Sequence, residues 1–482
     1  MNYNKKLKLI INHAKIYGFI FKSSEIYNGI KSIYDYGPQG IEMKNNIKKF
    51  WWNYMVKYRN NIVGIDSSIL MNNKVWKASG HIKNFNELFI INNIDNKIYI
   101  IDQLINNIID NKLIKIKNKN KIKLIFNYYL INKNINKLNL FLKKIIKKYN
   151  LSKLFKWENI NNINLMFKTK LNSFDNDQEK YTYLRPETAQ GIFVNIKNVK
   201  LSNRLKFPFG IAQIGKSFRN EIISKQFIFR TREFEQMEMQ YFFYPGQEKK
   251  WYKYWIKSRL KWFYYLINKK KKYKLKIHNK LSHYCKFAID IEFKILNKFK
   301  ELEGIHFRKN YDLKNHNNLS KKKLYFYDNK AKKNYIPYVI ETSLGLDRLF
   351  YSILTNSLKI ENINNKKRIY LKLPKFISPI KIAIFPIIKN NKIIKISKNI
   401  FNSLKYKFTT IYDENKSIGK RYKIQDSFGT PYCITIDFLT LNNKTVSIRF
   451  RDNMKQIRCK IKNLIKYFKK KFDISLFFKK NI

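Results

Sequence analysis

Glycine, proline and cysteine are scarce in this sequence. Its 482 residues include 14 glycines, 9 prolines and 3 cysteines. The cysteines, Cys285, Cys433 and Cys459, lie far apart and form no CxxC motif, which argues against disulfides and against a cysteine-based zinc site. No uninterrupted apolar run is long enough to span a membrane, and the N-terminus lacks an apolar signal core with a cleavage site. We therefore expect no membrane association and a soluble protein in a reducing compartment, namely the cytoplasm.

Acidic residues are also few. The chain has 33 Asp and Glu against 99 Lys and Arg, for a formal net charge of +66. Such a charge suggests a polyanionic partner, most simply a nucleic acid. However, lysine, asparagine and isoleucine are abundant everywhere, as an A+T-rich codon bias would produce, so the charge alone decides little. The length predicts two or three domains, and a hydrophobic content of 44% is enough to build their cores.

The scarce glycines and prolines gather in a few stretches, and neither residue occurs between His81 and Arg185. A residue that departs from the compositional bias marks a position where others do not work, such as a tight turn or a close backbone approach. These stretches are YDYGPQG, LRPETAQG, FPFGIAQIG, TSLGLDR and SIGKRYKIQDSFGTPYC.

Several segments carry a secondary-structure signal. GPQGIEMKNNIKKFWWNYMV predicts a helix, because Pro38 suits its first turn and five apolar residues fall roughly on one stripe. Those residues are Ile41, Ile47, Phe50, Trp51 and Tyr54. YVIETSLGLDRLFYSIL predicts a strand, a glycine turn and a helix, and IKIAIFPII begins an α/β domain that continues to the C-terminus. We interpret residues 85–165 as an insertion altered by the codon bias, and residues 245–335 as a helical insertion.

Arginine replaces the usual lysine in FRNEIISKQFIFRTREFEQMEMQYF, residues 218–242. Side chains of a strand alternate between two faces. If 227–242 is a strand, one face carries Arg230, Arg232, Phe234, Gln236, Glu238 and Gln240. The other face carries Phe229, Thr231, Glu233, Glu235, Met237, Met239 and Tyr241. Arg219 and Glu221 share a face just upstream, and Lys225 and Gln226 would turn the chain back to complete an antiparallel hairpin.

The first of these faces suits a nucleotide together with a small cationic group. Guanidinium forks bind phosphate oxygens, an aromatic ring stacks on a base, and a carboxylate binds an amine. The alternative is an edge hairpin whose charges pair in solvent. Exposed ion pairs contribute only about 0–1 kcal/mol, so they would hardly resist replacement by the prevailing lysine and asparagine, and we favour the binding site.

These residues resemble the motifs of class II aminoacyl-tRNA synthetases. Arg219–Asn220–Glu221, followed by Arg230, Phe234 and Glu238, resembles motif 2, and GLDR (345–348) resembles motif 3. YDYGPQGIEMKNNIKKFWW is similar to the motif 1 region, which builds the dimer interface in that class. LRPETAQGIF, ETSLGLDR and SIGKRYKIQDSFGTPYC are similar to the dimeric glycyl-tRNA synthetases, and the likeness covers most of the chain outside the two predicted insertions.

The resemblance implies an α+β fold in two domains. Residues 1–370 would form the catalytic domain, an antiparallel sheet flanked by helices, with insertions at about 85–165 and 245–335. Residues 374–482 would form an α/β anticodon-binding domain, and the protein would be a homodimer. The implied reaction activates glycine with ATP and Mg²⁺ to glycyl-adenylate, then transfers glycine to the 3′ end of tRNA-Gly.

The resemblance also implies roles for individual residues. Arg219 and Arg348 would be catalytic. The ATP site would comprise Arg219, Asn220, Glu221, Phe229, Arg230, Thr231, Arg232, Glu233, Phe234, Glu301, Leu302, Gly345, Leu346, Asp347 and Arg348. The glycine site would comprise Glu187, Phe234, Glu235, Gln236, Met237, Glu238, Glu341, Thr342, Ser343, Leu344 and Gly345. Glu301 and Glu341 would lie near Mg²⁺.

Some residues depart from the family pattern. Ile100 stands where a substrate-site arginine is expected, Asn172 where glycine is expected and Phe450 where aspartate is usual. The first insertion also lacks the cysteines that bind zinc in some relatives. We interpret the six histidines as structural or exposed rather than catalytic: His13, His81, His278, His283, His306 and His316.

Two other functions stay open at this point. A class II synthetase for another amino acid would share the ATP motifs, although RPETAQGIF and FEQMEMQYF argue against it. A non-catalytic relative that only binds nucleic acid would not need Arg219, Arg230 and Arg348, all of which are present.

Overall fold

A computed structural model describes residues 3–109, 118–132, 134–171, 181–221, 227–278, 285–328, 332–363 and 365–481. By their internal contacts the residues divide into two compact units. The larger unit comprises residues 1–69, 187–217 and 226–482, and the smaller unit comprises 70–186 and 218–225.

Helices and strands occur in both units. The α-helices are α1 (Tyr3–Ile16), α2 (Pro38–Trp52), α3 (Asn73–Ala78), α4 (His81–Asn84), α5 (Ile101–Ile109), α6 (Lys119–Ile131), α7 (Ile135–Lys148), α8 (Ala189–Ser202), α9 (Glu248–Leu266), α10 (Tyr311–Ser320), α11 (Leu346–Ser357), α12 (Asn391–Lys405), α13 (Ile418–Phe428), α14 (Phe438–Asn443), α15 (Leu464–Phe472) and α16 (Ser475–Asn481). The strands are β1 (Ile20–Lys22), β2 (Tyr34–Tyr36), β3 (Ile62–Gly64), β4 (Asn86–Asn92), β5 (Lys97–Ile100), β6 (Asn161–Asn164), β7 (Lys168–Lys170), β8 (Tyr181–Tyr183), β9 (Phe209–Phe218), β10 (Glu233–Phe243), β11 (Tyr273–Ile277), β12 (Phe287–Ile295), β13 (Lys298–Lys309), β14 (Phe326–Asp328), β15 (Lys333–Tyr335), β16 (Tyr338–Gly345), β17 (Leu358–Ile363), β18 (Lys366–Leu371), β19 (Ile382–Pro386), β20 (Thr410–Tyr412), β21 (Tyr432–Ile436), β22 (Thr445–Phe450) and β23 (Gln456–Lys460).

The main sheet of the larger unit has the strand order β11-β12-β13-β16-β10-β9-β3. The pairs from β11 to β10 are antiparallel, and the edge strand β3 runs parallel to β9. Met237, Met239 and Tyr241 of β10 point to one face, where they join a core built with α2, α9 and α11. Phe242 points to the opposite face and packs with α8. Helices therefore flank a mainly antiparallel sheet, as the resemblance implied.

The C-terminal residues of the larger unit form a second, five-stranded sheet with the order β20-β19-β21-β22-β23. Its first two pairs are parallel and its last two are antiparallel. Helices α12 and α15 pack on one face through residues such as Ile400 and Phe468, and α13 packs on the other through Ile418. This arrangement confirms the predicted α/β domain.

The smaller unit shows that the Lys/Asn/Ile-rich stretch can build a core of its own. Its three-stranded sheet has the order β5-β4-β6. Ile90, Leu104, Leu142 and Trp157 are among the residues buried between the sheet and helices α5, α6 and α7. The polar residues of this stretch therefore lie around an isoleucine- and leucine-rich interior. Ile100 is buried in this unit.

Two local predictions are confirmed. The strand, turn and helix expected over 338–354 are β16 and α11. The helix expected after Gly37 is α2, which begins at Pro38. Ile41 of its predicted apolar stripe is nevertheless exposed, because at 3.6 residues per turn it lies about 120° around the helix from the buried Ile47.

Other local predictions need correction. Residues 245–335 are not mainly helical: after α9 the chain forms β11, β12 and β13, and tertiary pairing with the sheet overrides local propensity there. The strand expected from Phe227 begins only at Glu233, because residues 227–229 form a 3₁₀ turn and Phe227 has a φ of 58°. The predicted turn at Lys225 and Gln226, and also Asn172 and His283, lie outside the described residues.

Candidate active site

A row of polar side chains crosses the centre of the main sheet on the face covered by α8. In the antiparallel register of β10 and β16, Glu238 lies opposite Ser343 and Gln240 lies opposite Glu341. Gln236 belongs to the same face, because alternate residues of a strand point to the same side. This is the face that the sequence pattern predicted for these residues.

Glu238 is the most enclosed carboxylate of the row, with a fractional exposure of 2%. It accepts hydrogen bonds from the hydroxyl of Thr188 and from Nε2 of Gln240 (3.0 Å). Burial raises the pKa of Glu238 well above its ordinary value, and the nearby carboxylates of Glu341 and Glu187 raise it further. Within the described residues no cationic side chain forms an ion pair with Glu238.

Glu341 is held differently. It accepts hydrogen bonds from Nη1 of Arg308 (2.9 Å) and Nε2 of Gln240 (2.8 Å), and Nδ1 of His306 lies 3.0 Å from its other oxygen. Burial alone would raise the pKa of Glu341, but Arg308 and His306 outweigh burial and lower the pKa to about 2. Arg308 also donates two hydrogen bonds of 2.8 Å to Asp312. Glu341 is therefore ionised and fixed in place.

His306 joins Glu341 to a second carboxylate. Its Nε2 lies 3.8 Å from Asp290, which His278 also contacts at 2.6 Å. Burial would lower the pKa of His306, but the contacts with Asp290 and Glu341 outweigh it and raise the pKa to about 9. No sequence pattern indicated that His306 lies beside Glu341, and the interpretation of the histidines as structural or exposed stays a prediction.

Gln236 and Ser343 complete the row. The side-chain oxygen of Gln236 accepts hydrogen bonds from the hydroxyl of Ser217 (2.8 Å) and the backbone amide of Thr188 (3.2 Å), while its Nε2 donates to Ser343 (3.3 Å). Gly304 lies opposite Ser343 in the register of β13 and β16. A Cβ atom on Gly304 would come within 2.8 Å of the His306 ring, so only glycine leaves that space open.

Residues predicted for ATP also meet in the larger unit. Nη1 of Arg348 lies 3.1 Å from Glu301, and the Arg348 guanidinium lies 5.1 Å from the centroid of the Phe229 ring. Arg348 and Glu301 are partly exposed, at 30% and 47% of their side chains. Three other predicted ATP residues are half-buried: Arg230 and Arg232 lie just before β10, and Phe234 is its second residue. Gly345 is the last residue of β16.

Several predicted site residues point away from this face. Glu235 forms ion pairs with Lys44 (2.9 Å) and Lys48. Asp347 accepts hydrogen bonds from Tyr36 and from the Glu235 amide (2.8 Å). The remaining members are buried in or against the opposite face of the sheet: Met237, Leu302, Thr342, Leu344 and Leu346. Thr231 is buried before β10, and Glu233 pairs with Lys216.

The smaller unit carries the first part of the predicted motif 2. Nε of Arg219 donates to the backbone oxygen of Pro186 (3.0 Å), and its guanidinium lies 5.3 Å from the centroid of the Phe85 ring. The Asn220 amide donates to Leu165 O (2.7 Å). Glu221 is buried.

The two predicted Mg²⁺ ligands, Glu301 and Glu341, differ in how well they suit the ion. Mg²⁺ prefers carboxylate oxygens that leave room for several waters. Glu301 is partly exposed and meets that condition. Glu341 does not, because Arg308, Gln240 and His306 already occupy both of its oxygens. The described residues contain no cluster of three or more Asp, Glu, His or Cys suited to a metal ion, and none of their helices is long and apolar enough to cross a membrane.

Comparison with known families identifies the two sheets. Residues 167–357 match the tRNA synthetase class II core domain (G, H, P, S and T), and residues 381–471 match the anticodon binding domain. The fold is thus that of a class II tRNA synthetase.

Curated relatives narrow the class. Glycine–tRNA ligase of Borrelia hermsii is 44% identical over 468 residues, covering 96% of each chain. The enzymes of that name from Mycoplasmopsis synoviae (42% identical, 97% of this chain and all of the relative) and Treponema denticola (40% identical, 96% of each chain) are similar over the same extent. The chain belongs to the glycine–tRNA ligase family.

The sequence did not single out Arg308, Asp312, Gln190 and His306 for roles in this site. Gln190 donates to Glu187 (2.9 Å) and to Asp312 (3.0 Å), which connects α8 to α10. A signal was present: Arg308 is an arginine in a chain that mostly uses lysine. Phe450, noted as a departure, packs against the C-terminal core.

Proposed function

We propose that this chain activates glycine with ATP and transfers it to tRNA-Gly. The observation that carries the proposal is Glu238, a buried carboxylate with no cationic side chain paired to it in the described structure and with further carboxylates around it. A buried carboxylate of this kind needs a cation to be stable in its ionised form. The ammonium group of an amino acid supplies that cation.

The same row accounts for selecting glycine. Ser343 and Glu238 would contact the ammonium group, together with Glu187 at the start of α8. A pocket cannot bind a side chain that glycine lacks, but it can exclude larger substrates sterically. His306, fixed against Glu341, and the space over Gly304 would set how much room remains next to the glycine Cα.

Residues before β10 and at the start of α11 would hold ATP. As in the family, Arg219 would bind the α-phosphate, Glu221 the adenine amino group and Phe234 the adenine ring. Arg230 and Arg348 would bind the outer phosphates. The partial exposure of Arg348 and its position over Phe229 support a role as a ligand-binding cation rather than a structural one.

Activation of glycine then needs no general base, because the attacking carboxylate carries no proton. A glycine carboxylate oxygen attacks the α-phosphorus in line, the bond to the bridging oxygen breaks, and pyrophosphate leaves. In the second step a terminal ribose hydroxyl of tRNA attacks the carbonyl carbon of glycyl-adenylate, and AMP leaves. Positioning and fixed positive charge from Arg219 and Arg348 would stabilise the charge that develops on the phosphates.

Mg²⁺ would enter with ATP. Of the two carboxylates first considered, we retain only Glu301 as a candidate ligand, because both oxygens of Glu341 are already engaged. When bound, the ion would neutralise phosphate charge.

We also infer a homodimer and a cytoplasmic location. Large apolar side chains are exposed along the N-terminal segment that contains the motif 1 region, notably Ile26 (87%) and Tyr27 (80%), with Ile16 and Ile30 nearby. Exposed apolar groups of this kind are typical of protein interfaces. The three cysteines are free thiols, which suits a reducing cytoplasm.

The test is aminoacylation of a tRNA-Gly transcript with radiolabelled glycine, with Glu238→Gln as the paired variant. We expect charging that depends on ATP and a severe loss in the variant. Tight tRNA binding by a folded protein that charges no glycine would contradict the proposal and favour a non-catalytic relative.

A further inference from the structure

A cavity of about 720 Å³ lies away from the candidate active site, between the end of α9, strand β17 and the segment after β18. This volume falls within the range of about 300–1,000 Å³ that ligand pockets occupy. Residues lining it include Tyr265, Lys269, Lys359, Lys372, Lys375 and Arg451. We refer to it as the lysine cavity.

The positive charge of the lysine cavity is not neutralised from within. Asp452 is the one carboxylate among its lining residues in the described structure, and it pairs with Arg451 at 2.7 Å. Arg451 also donates to the backbone oxygens of Gly429 (2.6 Å) and Leu373 (2.8 Å), so it has a structural role. Across the described residues, no acidic side chain lies within ion-pair distance of the four lining lysines.

The lysines also repel one another. Burial lowers the pKa of Lys359 to about 8, and the neighbouring Lys269, Lys272 and Lys6 contribute to that shift. The pKa of Lys272 is lowered by burial and by Lys269 in the same way. Like charges held together in partly buried positions destabilise a free protein, and a bound anion would remove that cost.

The cavity wall also offers an aromatic surface. Tyr265 stacks on Phe477, with 4.1 Å between ring centroids, and still exposes 39% of its surface. Several cations beside a partly exposed aromatic ring are typical of sites for nucleic-acid backbones, where amines contact phosphates and a ring contacts a base.

We propose that the lysine cavity binds the phosphodiester backbone of the tRNA substrate. Its walls come from segments next to the catalytic sheet and from Arg451 and Asp452, in the part that matches the anticodon binding domain. The cavity therefore borders both the part that matches the synthetase core and the part that matches the anticodon binding domain, the two parts that a tRNA substrate would contact. The assignment rests on the proposed function, because it takes the tRNA of that reaction as its ligand.

The test compares two double variants of equal charge change. Lys269→Gln with Lys359→Gln alters the cavity, and Lys322→Gln with Lys323→Gln alters two exposed lysines after α10. Affinity for a tRNA-Gly transcript is measured at several salt concentrations. Thermal unfolding shows whether each variant is folded, and the cavity variant should unfold no earlier than the parent because a repulsion has been removed.

For the cavity variant we expect tRNA affinity about tenfold lower at 0.1 M salt. The slope of log affinity against log salt should fall by about 1.4–1.8, since each lost phosphate contact contributes about 0.7–0.9. In the control variant, the tRNA affinity and the salt slope should both change by only a small fraction of the changes expected for the cavity variant. Equal losses in both variants, or no loss in the cavity variant, would overturn the assignment.

Chemical modification provides an independent readout. At pH 8 an amine-reactive ester should acetylate Lys359 faster than Lys322, because the lowered pKa leaves more of Lys359 unprotonated. Saturating tRNA should slow the reaction at Lys359 but not at Lys322. Protection by tripolyphosphate but not by tRNA would reassign the cavity to a small anion and overturn the RNA assignment. Glycine-dependent pyrophosphate exchange by the parent protein tests the proposed function separately.

Discussion

Replacing Arg308 with methionine should strongly destabilise the larger unit. The Arg308 guanidinium is buried and bonds Asp312 twice and Glu341 once, all within 2.9 Å. The pKa of Glu341 falls from 4.5 to about 2, which corresponds to about 3 kcal/mol of stability at neutral pH. An independent estimate agrees, because removing one partner of a buried ion pair costs about 3–5 kcal/mol.

The effect has a defined pH dependence. The folded-state pKa of Glu341 lies below its unfolded value, so the stabilisation is fully present above about pH 4.5 and is lost as the pH falls through about 2. The deficit of Arg308→Met should therefore shrink in acid. Urea denaturation followed by tryptophan fluorescence measures this loss in the free energy of unfolding, because Trp51, Trp255 and Trp262 are buried in the core of this unit.

Arg458→Met is the matched control. Arg458 forms an ion pair with Asp437 at the surface of the C-terminal sheet, and exposed pairs contribute only about 0–1 kcal/mol. This role of Arg308 is refuted if the free energy of unfolding of Arg308→Met lies within about 1 kcal/mol of that of the parent at neutral pH. It is also refuted if the difference between the two proteins is the same in acid.

Three further predictions concern the site. Glu238→Gln should raise the glycine KM about 30-fold, because a buried charge contact is worth at least about 2 kcal/mol. In the parent, the glycine KM should fall as the pH rises, since the raised pKa keeps Glu238 protonated at lower pH. A glycine KM that does not change with pH in the parent would contradict this. Gly304→Ala should raise the glycine KM about tenfold by displacing His306. Gly419→Ala should leave the glycine KM unchanged, because the space around Gly419 is open. An equal rise of the glycine KM in both variants would argue against the steric reason. Arg348→Gln should lower kcat of pyrophosphate exchange about 10²–10³-fold without lowering the unfolding temperature, and an unchanged kcat would exclude a catalytic role.

The sequence predicted the β10 side chains of the site and missed those of β13. The alternation in FEQMEMQ placed Gln236 and Glu238 together, because the two-residue period of a strand is a local property. Arg308 and His306 reach Glu341 only through the pairing of β13 with β16. Nothing in a single segment encodes that register, so pattern analysis could not supply it.

Elsewhere, composition predicted the wrong structure. The lysine- and tyrosine-rich residues 245–335 suggested a helical insertion, yet they contain β11, β12 and β13, three strands of the main sheet. Strand β11 lies at the sheet edge with most of its residues exposed, and lysine is well tolerated at an edge. Glu235 was assigned to glycine through its motif, but the alternation itself places it with Lys44 on the opposite face.

Activation of glycine by this protein produces pyrophosphate, so the exchange of pyrophosphate with ATP reports it without any need for tRNA. ATP–pyrophosphate exchange should be measured with purified protein in the presence of each of the twenty amino acids separately. We predict exchange with glycine alone. Exchange with a different amino acid, or with none in a folded protein that binds tRNA, would contradict the proposal that this protein activates glycine.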